Sequence, residues 1–252
     1  MSDLKFDSYG CTDIGNRRDV NEDYFKIEDS IFILADGMGG HNAGEIASQL
    51  AVENTMNYFK DLYKKDKLEM YDKHQVEQIL LDTITKVNKK VYQKSMEDVH
   101  LRGMGTTLVV ALHQKPNVIY IANVGDSRAY LFRKDHLKLL SEDHSVTGGL
   151  LQNGTITSNE AKNHPYRHHL TRSIGNSEKV FPFTRFINVE SGDKILLCSD
   201  GLWNVLLAND MIDTLQKDYS CKQMCQELNK KANELQSEDN ITSIVIIVTE
   251  EE

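Results

Sequence analysis

The sequence predicts an α+β protein, on the evidence of three kinds of segment. Apolar, β-branched runs of strand length recur along the chain, and several of them end at an acidic residue. Residues 43–56 and 76–91 carry apolar side chains at helical spacing. Four short runs between residues 104 and 140, with two tight links, predict a block of antiparallel strands. The 252 residues, 40% of them hydrophobic, suit one sizeable core, so we expect a single domain over residues 1–252.

Taken in order, the elements begin with an edge strand at residues 8–15 and a buried strand at 31–35 that stops at Asp36. The two amphipathic helices follow, and then the strands of the antiparallel block: 108–112, 118–123, 129–132 and 136–140. After the block, we expect a strand at 194–198, helical stretches at 202–206 and 224–235, and a last strand at 241–248.

The segment from residue 143 to about residue 185 has little periodicity. Long irregular segments inside compact domains are often functional flaps. Three of its residues, His164, His168 and His169, could suggest a metal site. Their spacing lacks a helical pattern and no cysteine accompanies them, so we predict that they are surface or flap residues.

Composition and charge exclude several classes of function. The net charge of −9, from 38 acidic and 29 basic residues, argues against a nucleic-acid partner or an anionic membrane surface. The four cysteines form no CxxC pair, which favours a reducing compartment. The N-terminus lacks the pattern of a signal peptide and no run is long enough to span a membrane. We therefore expect a cytoplasmic protein.

Four acidic residues stand at predicted strand ends: Asp36, Asp126, Asp200 and Asp239. Any one of them alone is most simply a turn residue with a solvated carboxylate. Four like charges that converge repel one another unless a cation compensates them. Oxygen ligands without a cysteine or histidine cluster suit Mg²⁺ or Mn²⁺ rather than Zn²⁺. The sequence thus predicts a metal centre built from carboxylates.

A second charged segment, residues 16–25, mixes two arginines with acids beside a glycine turn. It is either a solvated charge cluster or part of the site. In the second case one arginine binds an oxyanion while Glu22 or Asp23 faces the metal.

Several short motifs, in order from about residue 9 to residue 249, together resemble the metal-dependent protein phosphatase family (PPM, type 2C). The similarity is to its compact bacterial branch, whose members dephosphorylate phosphoserine and phosphothreonine. Each motif alone is weak, and the ordered set is specific. The motifs lie at residues 12–18, 21–23, 35–41, 103–107, 124–131, 143–145, 198–202 and 239–242.

The resemblance implies a four-layer αββα sandwich of two mainly antiparallel sheets flanked by helix pairs, with a flap at about residues 145–185 beside the metal cleft. It also implies two Mn²⁺ or Mg²⁺ ions bridged by Asp36. The Gly37 carbonyl would bind one ion, and Asp200 and Asp239 the other.

Further roles follow from the same resemblance. Glu22 and Asp23 match an acidic pair that supports the ions through bound water. Arg18 matches the arginine that binds phosphate. Asp126, with Asp200, matches the third metal site of bacterial members.

The implied reaction is direct hydrolysis of a phosphoserine or phosphothreonine monoester, without a phosphoenzyme. Two cations about 3.5 to 4 Å apart can share one water, lower its pKa and present hydroxide to phosphorus. Animal and plant members carry a histidine directly after the first Asp-Gly, where this chain has Met38. The acid for the leaving group is therefore either His41 or a metal-bound water.

The expected partners are phosphoproteins made by a Ser/Thr kinase, and we expect the enzyme to act as a monomer. Two other functions remain open. A metal-dependent phosphodiesterase or nuclease could use similar acids, but the acidic composition and the ordered motifs disfavour it. An inactive phosphatase fold could bind phosphoproteins, but it would normally lack a ligand among Asp36, Asp200 and Asp239, all of which are present.

Overall fold

Two antiparallel β-sheets form the centre of the molecule in the computed structural model, which describes residues 4–39, 43–63 and 68–251. The first sheet has five strands in the spatial order β1, β11, β10, β7, β8. Their bounds are β1 Leu4–Asp13, β7 Arg128–Arg133, β8 His136–Leu139, β10 Lys194–Cys198 and β11 Ile241–Glu250. The predicted edge strand β1 therefore lies at an edge, while β11 lies inside the sheet.

The second sheet has the spatial order β2, β3, β5, β6, β9, and a short strand, β4, pairs with the end of β3. Their bounds are β2 Asp23–Glu28, β3 Ile31–Met38, β4 Gly105–Thr106, β5 Leu108–Gln114, β6 Val118–Val124 and β9 Phe183–Asn188. The predicted antiparallel block is thus divided between the sheets. The chain crosses from β6 to β7, and so from one sheet to the other, at residues 125–127.

The helices cover the outer faces of the sheets or lie in the connections. The described α-helices are α1 Ala43–Tyr63, α2 Lys73–Glu97, α3 Val146–Gln152, α4 Ser158–Lys162, α5 Asp200–Trp203, α6 Ala208–Leu215 and α7 Cys221–Glu234. Several begin at side-chain caps: Asp72 accepts from two backbone amides at the start of α2, and Ser220 caps α7. Among the described residues, no helix is both long and apolar enough to cross a bilayer.

Three buried apolar clusters separate four layers. One fills the space between the sheets, with side chains such as Phe32, Leu34 and Ile244. A second packs α1 and α2 on the outer face of the second sheet, and a third packs α5 to α7 on the outer face of the first. Both faces of each sheet are covered, which explains why the strands read as continuous apolar runs. The predicted αββα sandwich is confirmed.

Some elements differ from the sequence prediction. The helix predicted at 202–206 ends at Trp203, and a separate, unpredicted helix α6 follows. Strands β2 and β9 were not predicted either, because their residues are only partly buried and alternate weakly. The stretch with little periodicity contains α3 and α4 and runs into the start of β9. His168 and His169 are exposed and His164 is partly exposed, as predicted.

Candidate metal centre

Strand direction brings the predicted acids to one end of the sandwich. The end of β3 lies beside the start of β2, because the two strands are antiparallel and Asp23 pairs with Asp36. In the other sheet, the end of β10 lies beside the start of β11, with Asp200 and Asp239 just outside the paired residues. The crossing from β6 to β7 places Asp126 at this end too.

Asp36 continues the side of β3 that faces the space between the sheets, two residues after Leu34. Its backbone is held by Thr106, in β4, and by Thr107, directly before β5. The Asp36 amide donates to the Thr107 hydroxyl at 2.9 Å, and its carbonyl accepts from the Thr107 amide and the Thr106 hydroxyl, both at 2.8 Å. The carboxylate thus stands on a fixed backbone.

Gly37 is required where β3 meets the start of α1. A Cβ atom there would lie 2.1 Å from the Gly44 carbonyl oxygen and 2.6 Å from that of Glu22. The Gly37 amide also donates to the Glu22 carbonyl at 3.1 Å. The close approach of three backbone segments brings the backbone of Gly37 beside Glu22 and next to Asp36.

Asp23 is buried beneath the cleft. Its Oδ2 accepts from the Ser199 hydroxyl at 2.8 Å, whereas its buried Oδ1 has no hydrogen-bond partner. Burial raises the pKa of Asp23 to about 7, and the charges of Asp200 and Asp239 act in the same direction, against hydrogen bonds from Thr242 and Ser199. An unsatisfied buried carboxylate oxygen is costly unless something outside the protein fills the gap.

Asp200 is the first residue of α5, directly after the buried Ser199. Asn204 donates to its Oδ2 at 3.1 Å, and its buried Oδ1 has no hydrogen-bond partner. Burial, and then the charge of Asp239, raise the pKa of Asp200 to about 6.

Burial also raises the pKa of Asp36 well above its ordinary value, and the charges of Asp23 and Asp200 raise it further. Asp126, 7% exposed, has a strongly raised pKa for the same reason, with burial first and Asp200 second. The carboxylates thus oppose one another's ionisation, as expected for like charges in one cleft.

Arg18 lies at the mouth of the cleft and pairs with Asp239. Its Nη2 donates to Asp239 Oδ2 at 2.6 Å, and 46% of the Arg18 side chain is exposed. Asp239 Oδ1 accepts from the Asn240 amide at 2.8 Å. The structure therefore brings the predicted phosphate-binding arginine to a predicted metal ligand.

Glu22 lies beside Arg18 with its side chain partly buried. Burial raises the pKa of Glu22, while Arg18 and a hydrogen bond from the Gly44 amide act against the rise. The Glu22 carboxylate fits against Gly44, where a Cβ would come within 2.4 Å of Oε1. Of the predicted site residues, His41 alone lies outside the described residues, as does the neighbouring Gly40.

The donor set fits divalent cations that prefer oxygen. Among the residues that the structure describes, two arginines lie beside the cluster, Arg18 and Arg128, and each is paired with its own acid, Asp239 and Asp143. The carboxylates of Asp23, Asp36, Asp126 and Asp200 therefore exceed the positive charge that these two arginines supply. Within residues 4–39, 43–63 and 68–251, no three His, Cys, Asp or Glu side chains already surround one point. An ion here would need water or the Gly37 carbonyl to complete its shell, as Mg²⁺ commonly does.

Three supporting residues carried no functional prediction from the sequence. The Asn240 amide group donates to the carbonyls of Ile14 and Val20, and its Oδ1 accepts from the Glu22 amide at 2.8 Å. It thereby holds the loop that carries Arg18. Ser199 and Thr107 orient Asp23 and Asp36. Their only sequence signal is that they lie within the motifs at residues 103–107, 198–202 and 239–242.

Comparison with known proteins gives the same class. The family model "Protein phosphatase 2C" matches residues 16–242. The serine/threonine phosphatase stp of Listeria welshimeri is 39% identical over 240 residues, 93% of this chain and 93% of that protein. Protein phosphatase PhpP of Streptococcus pneumoniae is 34% identical over 246 residues, 96% of this chain and 97% of that protein.

Solved structures agree. The serine/threonine phosphatase Stp1 of Staphylococcus aureus superposes with a TM-score of 0.84 at 33% identity, covering 98% of this chain and 95% of that one. The catalytic domain of PstP, crystallised with two manganese ions, superposes with a TM-score of 0.84 at 29% identity, covering 98% of this chain and 100% of that one.

A cluster of carboxylates at one end of an αββα sandwich defines the class of metal-dependent phosphatases. The chain belongs to the protein phosphatase 2C family and is a Ser/Thr protein phosphatase of bacterial type. The predicted family, fold and enzyme class are confirmed.

Proposed function

We propose that this phosphatase hydrolyses phosphoserine and phosphothreonine monoesters by direct attack of water, in a centre that holds two Mn²⁺ or Mg²⁺ ions. The excess of buried carboxylates over paired cations at the end of the sandwich carries this proposal. Asp36, Gly37, Asp200 and Asp239 would hold the two ions, Glu22 and Asp23 would support them, and Asp126 with Asp200 would hold a third, weaker one. When bound, the ions supply positive charge and lower the pKa of water.

The hydrogen bond from Ser199 to Asp23 fixes the orientation of one carboxylate of the proposed centre. The Ser199 hydroxyl fixes one oxygen of Asp23, and the other oxygen is buried without a hydrogen-bond partner. A carboxylate oriented in this way accepts hydrogen bonds from water that surrounds an ion and so orients that water. Asp36, on its fixed backbone, contributes its charge at the same point.

Arg18 would bind the phosphoryl group of the substrate. Only one nitrogen, Nη2, is engaged with Asp239 in the described hydrogen bonds, and the half-exposed guanidinium keeps further N–H groups accessible. A planar guanidinium can bind two phosphate oxygens at once. Asn240 sets the position of Arg18 by holding its loop at both ends.

Residues 1–252 would form one catalytic domain, since the first and last strands pair along their length. The segment at about 145–185 would be a flap beside the cleft. We further infer that the substrates are phosphoproteins made by a Ser/Thr kinase, that the enzyme is a monomer, and that it acts in the reducing cytoplasm. The last inference is supported by the four cysteines, all of which are free thiols.

The test compares three substrates with Mn²⁺ and with EDTA: a phosphothreonine peptide, p-nitrophenyl phosphate and bis(p-nitrophenyl) phosphate. We expect hydrolysis of the two monoesters with Mn²⁺ and none with EDTA. Faster turnover of the diester would favour a phosphodiesterase or nuclease. Binding of the phosphopeptide without turnover would favour a non-catalytic phosphoprotein-binding module.

A further inference from the structure

One short helix links a candidate ligand to the single tryptophan of the chain. The helix α5 begins at Asp200 and ends at Trp203. The indole Nε1 of Trp203 donates to the backbone carbonyl of Asp126 at 3.0 Å. Trp203 therefore connects the helix that carries Asp200 to the turn that carries Asp126.

The indole ring is itself held in place. The Arg128 guanidinium lies over the Trp203 ring, 3.5 Å from its centroid. Arg128 donates to both oxygens of Asp143, at 3.0 and 2.6 Å, and to the Tyr130 hydroxyl at 3.0 Å. Because all three guanidinium nitrogens of Arg128 donate hydrogen bonds, the ring that stacks on it has little freedom to move.

Asp126 needs such a contact because of its place in the backbone. It lies between β6 and β7, where the chain crosses from one sheet to the other. Gly125, directly before it, has a φ of +94° and stands at the turn. With Asp126 outside the paired residues of both strands, the Trp203 N–H gives its carbonyl a fixed partner.

We propose that Trp203 is a positioning residue that sets the separation of Asp126 and Asp200, so that a third divalent ion binds between them. This inference depends on the proposed function, of which the third ion is part. The loss of the indole N–H removes this partner of the Asp126 carbonyl, while His144 still bonds to Gly125. The same change does not touch the hydrogen bonds that hold the Asp36 backbone, nor those by which Asn240 holds the loop that carries Arg18.

The test measures Mn²⁺ binding, by calorimetry and by the electron paramagnetic resonance of free Mn²⁺. The Trp203→Phe variant keeps a ring to stack on Arg128 and lacks the N–H. We expect the third ion to bind about 5- to 50-fold more weakly, since a buried carbonyl left without a donor is costly. The two tight ions should bind as in the wild type.

Tyr130→Phe is the matched control. It removes a buried hydrogen bond to Arg128 in the same network and does not touch the Asp126 carbonyl. Its affinity for the third ion should stay within about twofold of wild type, because Asp143 still holds Arg128 at two points. An equal loss in both variants would indicate general loosening and overturn the assignment.

A second measurement uses the wild-type chain and does not depend on how Trp203→Phe folds. Mn²⁺ is paramagnetic and quenches nearby fluorophores, and Trp203 supplies all of the indole emission. Emission should fall in a phase whose midpoint equals that of third-ion binding, and Asp126→Asn should lack that phase.

Three results would overturn the inference: a third ion bound equally well by Trp203→Phe, a third ion that leaves wild-type emission unchanged, or wild-type protein that takes up two ions only. Wild-type protein that binds no Mn²⁺ would refute the proposed centre itself, and this inference with it.

Discussion

This protein has two sets of carboxylates that differ in their partners: one set is paired with arginines, and the other keeps oxygen atoms without a hydrogen-bond partner. Asp193, 1% exposed in its side chain, is gripped by Arg133 through Nε at 2.7 Å and Nη2 at 2.5 Å, and Asp143 is held by Arg128. At the other set, Asp23 and Asp200 each keep a buried oxygen without a partner, and their pKa values are raised by burial.

The difference separates structural from functional charge. A buried acid that the chain neutralises with its own arginine contributes to the fold. A buried acid that the chain leaves in excess is costly in the isolated protein and gains from an external cation. Aspartate therefore has two roles in this protein, and the presence or absence of a paired arginine shows which role a given aspartate has. Substitutions at the two sets should have contrasting effects.

The largest effect is expected for Asp36→Asn. It removes a charge from the centre of the cluster, so kcat/KM for a phosphothreonine peptide should fall by at least about three orders of magnitude, since loss of an outer partner of a ligand already costs 10- to 100-fold. The melting temperature in EDTA should stay equal or rise, because a repulsive charge is removed. If Asp36→Asn turned over the peptide at the wild-type rate at saturating Mn²⁺, the assignment of Asp36 to the metal centre would be wrong.

Arg18→Ala should have the next largest effect on catalysis. Two charge-assisted hydrogen bonds to phosphate would be lost. The loss of transition-state stabilisation is about 2 to 3 kcal/mol, which lowers kcat/KM roughly 30- to 150-fold. Arg18→Lys should recover only part of the loss, because an ammonium cannot bind two oxygens as a fork. Steady-state kinetics with the phosphopeptide test this, and full recovery by lysine would contradict the assigned geometry.

Asp193→Asn tests the other side of the comparison. It leaves Arg133 without its carboxylate, and we expect a loss of about 1 to 3 kcal/mol in the free energy of unfolding. Chemical denaturation measures that loss. Activity per folded molecule at 25 °C should equal wild type, because Asp193 lies directly before the start of β10, the end of the strand opposite to Asp200. If Asp193→Asn lowered turnover without lowering stability, the division into structural and functional carboxylates would be wrong.

The smallest effect is a dependence of stability on pH in the metal-free protein. The pKa of Asp23 is about 7 in the folded state against 3.8 for the ordinary group. The folded state therefore holds this proton more tightly, so the stability that it provides is present below about pH 4 and is lost as pH rises to about 7. Melting curves in EDTA should show this decline, and Asp23→Asn should flatten it. A rise in stability over the same range would contradict the raised pKa.

The sequence predicted the strands that carry the acids better than it predicted the periphery of the fold. Each acid followed or preceded a strongly apolar strand, so its place at a strand end could be read directly, as at Asp36 and Asp200. Strand direction, which determines that these ends meet, came from the family resemblance. Strand β9 and helix α6 were not predicted, because half-buried or short amphipathic segments give a weak periodic pattern in the sequence.

The supporting residues could not be predicted, for a physical reason. Asn240 joins segments more than 200 residues apart in the sequence, and Trp203 reaches Asp126 across 77 residues. Such contacts follow from tertiary packing and leave no local pattern.

The most direct test of the central claim is a titration of metal-free protein with Mn²⁺ near pH 7, by calorimetry, for wild type and Asp36→Asn in parallel. Tight uptake of two ions by wild type, with proton release because Asp23, whose pKa is about 7, is partly protonated beforehand, is the predicted result. The Asp36→Asn variant should lose this uptake. Equal binding by both proteins, or no binding by either, would contradict a metal centre built on these carboxylates.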